Sequence, residues 1–268
     1  MMFDISLSLA LSLITAAVLF VHTKLGVRVK SLLGGREFTT RDAVLLVVMM
    51  GVMVTLLGWT IISIPPMAIV VLFLYAYSSV LFIFAYLIVP KWYLALLAPA
   101  LFIALYFLWW NLILLNLFAV IFAISVSVYI GSLFTWKTTA IFVTLLTIMD
   151  VVQVLITGFM VESGEKTLSL GLPVAIALPS FPLQEYMMFL GLGDIFLSGL
   201  LTIQNTQKYG KRWGIATIVA IGAVFLLLET ILLNSEVAAF PATVLVIAGW
   251  LTALGIRYLY KSLIFRAD

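Results

Sequence analysis

Long apolar runs, separated by short polar or charged segments, make up most of this chain. A transmembrane helix needs about 20 consecutive apolar residues, and nine runs come close to or exceed that length. The predicted spans cover residues 5–23, 43–63, 67–89, 92–109, 111–134, 138–160, 185–204, 213–233 and 239–256. The fourth and fifth spans are separated before Asn111, because Trp109 and Trp110 suit a membrane interface. The pattern predicts an all-α polytopic membrane protein with nine transmembrane helices.

The composition supports a membrane location. Hydrophobic residues make up 65% of the chain and charged residues 9%, whereas soluble domains carry roughly 25% charged residues. We expect a multi-pass protein of the cell membrane that contacts the lipid bilayer and has no nucleic-acid partner.

The chain lacks cysteine and has one histidine, His22. Thiolate chemistry and multi-histidine metal centres are therefore excluded, and we expect no metal and no cofactor.

The cations indicate an orientation. In the nine-span arrangement thirteen of the fourteen lysines and arginines fall on one side of the membrane, and only Lys166 falls on the other. The positive-inside rule then places the N-terminus outside and the C-terminus in the cytoplasm. Residues 1–268 form one membrane domain, with spans one to six at about 5–160, an external loop at about 161–184, and spans seven to nine at about 185–256. Span one is expected to be retained, because "MMFD" has no basic segment of a signal peptide.

Three carboxylates lie inside predicted spans, where a charge costs about 3 kcal/mol. Asp150 falls about ten residues before the outer end of span six, and Asp194 about nine residues after the start of span seven. Each would lie roughly 14 Å below the outer surface, so the two aspartates can face each other. Glu229 falls four residues from the outer end of span eight and is interpreted as an interfacial or paired carboxylate.

Polar residues extend from both aspartates at helical spacing. They are Thr144, Thr147, Gln153 and Thr157 on span six, and Gly191, Ser198 and Thr202 on span seven. Two such stripes predict a water-accessible cleft between the spans. The alternative is a buried polar pair that joins two helices, or an ion relay. Two close carboxylates would share one proton, which is the arrangement of an aspartic protease.

Three short motifs resemble those of the intramembrane aspartyl proteases of the presenilin and signal peptide peptidase type. "GLGD" (191–194) fits the family's GxGD motif, "MD" (149–150) stands in place of Tyr-Asp, and "PAT" (241–243) stands in place of Pro-Ala-Leu. The resemblance implies hydrolysis of peptide bonds within transmembrane segments by a water held between Asp150 and Asp194. It further implies that the site is shaped by Met149, Gly191, Leu192, Gly193, Pro241, Ala242 and Thr243. Met149 and Thr243 depart from the family's usual tyrosine and leucine.

The orientation resembles signal peptide peptidase and implies substrates such as signal peptides and type II anchors. The compact chain resembles prokaryotic, in particular archaeal, homologues, and a homo-oligomer is left open. In the external loop, "VAIAL" (174–178) lies between two prolines and is interpreted either as a short strand that holds an unwound substrate or as an ordinary loop.

Three other functions remain to be weighed. Intramembrane acids also mark ion channels and transporters, although no broken-helix repeat is seen here. A prepilin-type peptidase would place its aspartates near the cytoplasmic face. A scaffold without catalytic activity would tolerate Asp150→Asn and Asp194→Asn.

Overall fold

The computed structural model describes residues 3–32, 34–59, 64–182, 186–235 and 240–267, and most of them are helical. The helices are α1 (Ser6–Leu32), α2 (Thr40–Gly58), α3 (Pro66–Ile88), α4 (Trp92–Ala95), α5 (Leu97–Leu108), α6 (Leu112–Gly131), α7 (Trp136–Val151), α8 (Phe159–Ser169), α9 (Leu192–Tyr209), α10 (Lys211–Leu233) and α11 (Ala242–Ala267). A π-helical turn, Val152–Ile156, continues α7. Two strands, β1 (Ala175–Pro179) and β2 (Met187–Gly191), precede α9.

Seven of the described helices are long and apolar enough to cross a membrane. They are α1, α2, α3, α6, α7 with its π-helical turn, α10 and α11. Many of their large apolar side chains face outward, as Leu13 and Val71 do. The chain is therefore a multi-pass helical membrane protein in contact with lipid. The count of nine spans and the orientation stay predictions.

The fourth predicted span is shorter than expected and interrupted. Residues 92–108 form α4 and α5, which are separated at Leu96. Pro99 follows in the first turn of α5 and has no N–H to donate to the carbonyl of Ala95, which weakens a continuous helix here.

The seventh predicted span begins too early in the sequence-based assignment. Residues 187–191 form strand β2, and the helix starts only at Leu192. Residue 185, where the span was predicted to begin, lies outside the described residues. The run "MMFLGL" is apolar without a clear period, and such a run does not distinguish a strand from a helix. The pairing of β2 with β1 decides the outcome, because it satisfies the backbone groups of both segments.

The strand predicted for "VAIAL" forms, and it spans Ala175–Pro179. It pairs antiparallel with β2, with Ala175 opposite Gly191 and Pro179 opposite Met187. The hairpin therefore ends directly at the start of α9.

Helix α9 occupies the centre of the bundle. Its eleven residues from Ile195 to Asn205 are all buried, and α1, α6, α7, α10 and α11 pack around it. Gly199 permits this packing, since a Cβ there would lie 3.0 Å from Ser127 and from Val18. Protein rather than lipid surrounds α9, so its polar residues can be satisfied by neighbouring helices. Asn205, for example, donates to Thr217 Oγ1 at 2.7 Å.

Candidate aspartate site

Asp194 is the third residue of α9 and lies immediately after β2. This position corrects the expectation that it would fall about nine residues into a helix. The start of a helix carries unpaired N–H groups and a positive dipole end, both of which favour a carboxylate. The junction between β2 and α9 therefore places the Asp194 carboxylate where the start of the helix favours it.

Gly191 makes room for the Asp194 carboxylate. Gly191 is the residue before the first helical position of α9, and a Cβ placed on it would lie 2.9 Å from Asp194 Oδ2. Gly193 differs, because a Cβ there would meet no atom within 4 Å. The first glycine of "GLGD" thus positions the carboxylate, whereas the second leaves open space.

Asp150 lies at the other side of the site, next to the last residue of α7. Its side chain is buried, with 4% of its surface exposed. The π-helical turn Val152–Ile156 follows at once, and such turns often occur at functional sites. Gln153 in this turn donates to Gly51 O at 2.9 Å and to Thr55 Oγ1 at 3.2 Å. These bonds attach the end of α7 to α2.

Both aspartates line one cavity of about 370 Å³. The two side chains also interact electrostatically. Residues of α2, α3, α8 and β1 complete the wall. Seven of the nine residues singled out by sequence lie around this cavity, namely Met149, Asp150, Gly191, Leu192, Gly193, Asp194 and Thr243.

The third motif contributes only its last residue to this cavity. Pro241 is buried and ends the segment before α11, and Ala242 lines a neighbouring cavity instead. Thr243 lies beside the Asp150 carboxylate and is 3% exposed. Its Oγ1 has no hydrogen-bond partner of ordinary geometry within the described part of the chain. The hydroxyl of Thr243 lies next to the Asp150 carboxylate.

The two predicted polar stripes do not meet as one cleft. On α7, Thr144 and Thr147 donate to carbonyls of their own helix, at 2.9 and 2.7 Å, and Gln153 contacts α2. On α9, Ser198 bonds to Thr15 of α1 at 2.8 Å. The π-helical turn changes the helical register after Asp150, so the stripe turns towards α2. Of the side chains on the two stripes, only those of the two aspartates line the shared cavity.

Glu229 is the acid that the sequence interpretation undervalued. It is 6% exposed, and its Oε2 lacks a hydrogen-bond partner among the described residues. With Asp194 it lines a second cavity, of about 470 Å³. Its position near the end of α10 had suggested an interfacial or paired carboxylate. The burial of Glu229 results from tertiary packing, which a local sequence pattern does not reveal.

The described ranges contain no cluster of three or more histidine, cysteine, aspartate or glutamate side chains that could hold a metal ion. Comparison with known proteins identifies no relative: no protein-family model and no curated protein matches the chain.

Proposed function

We propose that this protein is an intramembrane aspartic endopeptidase of the presenilin and signal peptide peptidase type. The observation that supports it is the shared cavity of Asp150 and Asp194, which lie 44 residues apart on different helices. Two carboxylates at one cavity can carry out acid and base catalysis together, without cysteine, histidine or metal. The GxGD sequence has a physical purpose at this site, because Gly191 leaves space for the carboxylate of Asp194.

The mechanism uses one shared proton. Two adjacent carboxylates cannot both ionise without cost, so one holds a proton and the other is charged. The charged aspartate removes a proton from a water molecule, whose oxygen attacks the peptide carbonyl. The protonated aspartate donates to the carbonyl oxygen. Collapse of the tetrahedral intermediate breaks the C–N bond, and a proton passes to the leaving amine.

The hairpin offers an edge to an unwound substrate. A helical substrate hides its peptide bonds in internal hydrogen bonds, so the segment to be cut must become extended. An extended segment can add to a free strand edge. Asn116 of α6 occupies the edge of β1, since it donates to Ala177 O at 2.7 Å and accepts from Ala177 N at 2.8 Å.

The available edge therefore belongs to β2. Because Ala177 directs both backbone groups towards Asn116, the opposite residue, Phe189, directs its own backbone groups away from β1. No backbone partner outside the sheet bonds to Phe189 within the described residues. A segment paired with β2 would pass beside Asp194, three residues beyond Gly191. The proposal therefore places substrate binding on β2, whereas one of the two interpretations of the sequence placed it on "VAIAL".

The proposed substrates are transmembrane segments of signal-peptide or type II anchor character, in accord with an N-terminus outside and a C-terminus in the cytoplasm. The protein would act in the cell membrane without a cofactor, alone or as a homo-oligomer. The family resemblance points to a prokaryotic, archaeal source.

The test compares purified wild type with Asp150→Asn and Asp194→Asn in detergent, on a generic transmembrane peptide. Each aspartate variant should lose cleavage on the order of 10³-fold, the scale of general acid and base catalysis. Glu165→Gln is the matched control, because Glu165 is exposed on α8 and lines neither cavity. Equal cleavage by all four proteins would refute the proposal and indicate a contaminant. If no protein cleaves, ion flux across liposomes tests the channel or transporter alternative.

A further inference from the structure

A second cavity adjoins the aspartate site and differs from it in character. It has a volume of about 470 Å³ and lies between β2, α10 and the start of α11. Its walls are mainly apolar, and its acidic groups are Asp194 and Glu229. Asp194 and Phe189 line both cavities, so the two cavities adjoin at these residues.

Glu229 lacks the partners that a buried carboxylate normally has. A buried polar group without a hydrogen bond costs free energy, and a buried charge costs more. Glu229 Oε2 has no hydrogen-bond partner in the described part of the chain. Among the described side chains with such an unpartnered buried atom, Glu229 is the one carboxylate.

The charges near Glu229 are negative. Asp194 shares its cavity, and Asp4 at the start of α1 interacts with it electrostatically. Asp4 accepts hydrogen bonds from Ser6 Oγ and from Phe181 N, both at 2.7 Å, so it has structural partners. The cavity therefore combines apolar walls with the two carboxyl groups of Glu229 and Asp194.

We propose that this cavity is a substrate subsite that binds a lysine or arginine side chain close to the cleaved bond, with Glu229 as the group that recognises its charge. A long aliphatic stem would contact the apolar walls, and the terminal cation would meet the carboxylate. The inference rests on the proposed protease function for the identity of the ligand, a peptide. Such a subsite would give the protein a preference for lysine or arginine side chains, which the aspartate pair alone does not provide.

Binding can be measured without cleavage in an Asp150→Asn background, because Asp150 lines only the first cavity. The probes are transmembrane peptides with lysine placed in turn at each position of the central segment. Matched peptides carry norleucine, which has a similar stem without charge. Detergent without aminolipid removes competing ammonium groups.

We expect at least one lysine position to bind about tenfold or more tightly than its norleucine counterpart, since hydrogen bonds between charged groups are among the strongest in proteins. Adding Glu229→Gln should reduce this ratio to about one. Adding Glu165→Gln should leave the ratio unchanged. Equal ratios with and without Glu229→Gln would overturn the inference.

A second variant tests the cavity without altering Glu229. Ser235 lines the cavity at the end of α10 and is exposed, so Ser235→Lys would supply an internal ammonium group. It should abolish the preference for lysine peptides even if Glu229→Gln fails to fold. A folded Ser235→Lys protein that keeps the full preference would contradict the proposal.

Cleavage separates this inference from the proposed function. If the Asp150→Asn protein shows a lysine preference that depends on Glu229, but wild type cleaves no peptide, the subsite stands and the protease proposal fails. If wild type cleaves lysine and norleucine peptides in the same ratio as Glu229→Gln, the subsite fails and the protease stands. An equal loss for both peptides in Glu229→Gln would also overturn the subsite, and would indicate a route for water or protons.

Discussion

The two ends of the helix bundle satisfy their polar groups in different ways. We call the end that contains Trp136, Lys208, Tyr209 and Arg257 the basic end. Lys208 Nζ lies 3.8 Å from the Trp136 ring centroid, and the guanidinium carbon of Arg257 lies 3.6 Å from that of Tyr209. Helix starts are capped there, as at Thr135, where side chains and backbone bond reciprocally with Thr138. This end follows the ordinary rules of helix termination.

The opposite end, which contains the hairpin together with Asp150, Asp194 and Glu229, is less regular. We call it the strand end. It has the π-helical turn after Asp150 and the strand that interrupts the predicted span before Asp194. Glu229 is buried there, and its Oε2 has no hydrogen-bond partner among the described residues. Irregular backbone is costly for stability and often occurs at functional sites, which is consistent with the proposed aspartate site.

The pH dependence of cleavage should show the largest difference between the ends. The aspartate pair needs one proton, so activity should fall by about tenfold per pH unit beyond each limb of a bell-shaped profile. Lys208 lies at the basic end and does not line the aspartate cavity, so the profile of Lys208→Gln should superimpose on that of wild type. Initial rates with one transmembrane peptide provide the measurement. A flat profile for wild type would contradict the shared-proton mechanism.

The glycines of "GLGD" offer a sharper contrast within the strand end. Gly191→Ala places a Cβ 2.9 Å from Asp194 Oδ2, and the flexible carboxylate must move away. We expect kcat to fall by roughly ten- to a hundredfold, because misplacement of a catalytic group by about 1 Å is costly. Thermal unfolding should change little, since only the end of one side chain shifts.

Gly193→Ala is the matched control for that prediction. The added methyl group meets no atom within 4 Å and would project into space that a substrate uses. We expect a higher KM with a smaller change in kcat. Identical kinetic effects of the two alanines would argue against a special role for the first glycine.

Asn116→Leu should affect both stability and cleavage at the strand end. The substitution removes both hydrogen bonds to Ala177, and Ala177 is buried. Leaving buried backbone groups unpaired costs about 1–3 kcal/mol each, and a loosened β1 should also weaken the pairing of β2. We expect a lower unfolding temperature and several-fold slower cleavage. Normal cleavage by a destabilised variant would show that the hairpin does not hold the substrate.

Thr135→Ala at the basic end should have the smallest functional effect. It removes the hydroxyl that accepts from Thr138 N at 3.3 Å, and loss of a helix cap typically costs about 1 kcal/mol. The unfolding temperature should therefore decrease, whereas kcat/KM per folded molecule stays within about twofold of wild type. A large loss of kcat/KM would break the functional distinction between the ends.

Local pattern predicted the apolar parts of α1 and α11, but both helices continue through charged residues, α1 past Lys24 and α11 past Arg257. It also identified Asp150 and Asp194, because an acidic residue within an apolar run can be recognised from the sequence alone. It misjudged the start of α9, because residues 187–191 are strand only through their pairing with β1. It also could not separate Thr243, which lines the aspartate cavity, from Ala242, which faces the neighbouring one.

The sequence by itself determined that this is a multi-pass helical membrane protein with Asp150 and Asp194 inside its apolar segments. Length of apolar runs and the cost of charge in lipid are local properties, so they can be read from residues in order. Tertiary structure decided that Gly191 makes room for the Asp194 carboxylate, that Asn116 occupies one strand edge, and that Glu229 lies buried beside Asp194. Each of these facts depends on contacts or shared cavities, most of them between segments far apart in the chain, and such relations exist only once the helices have packed.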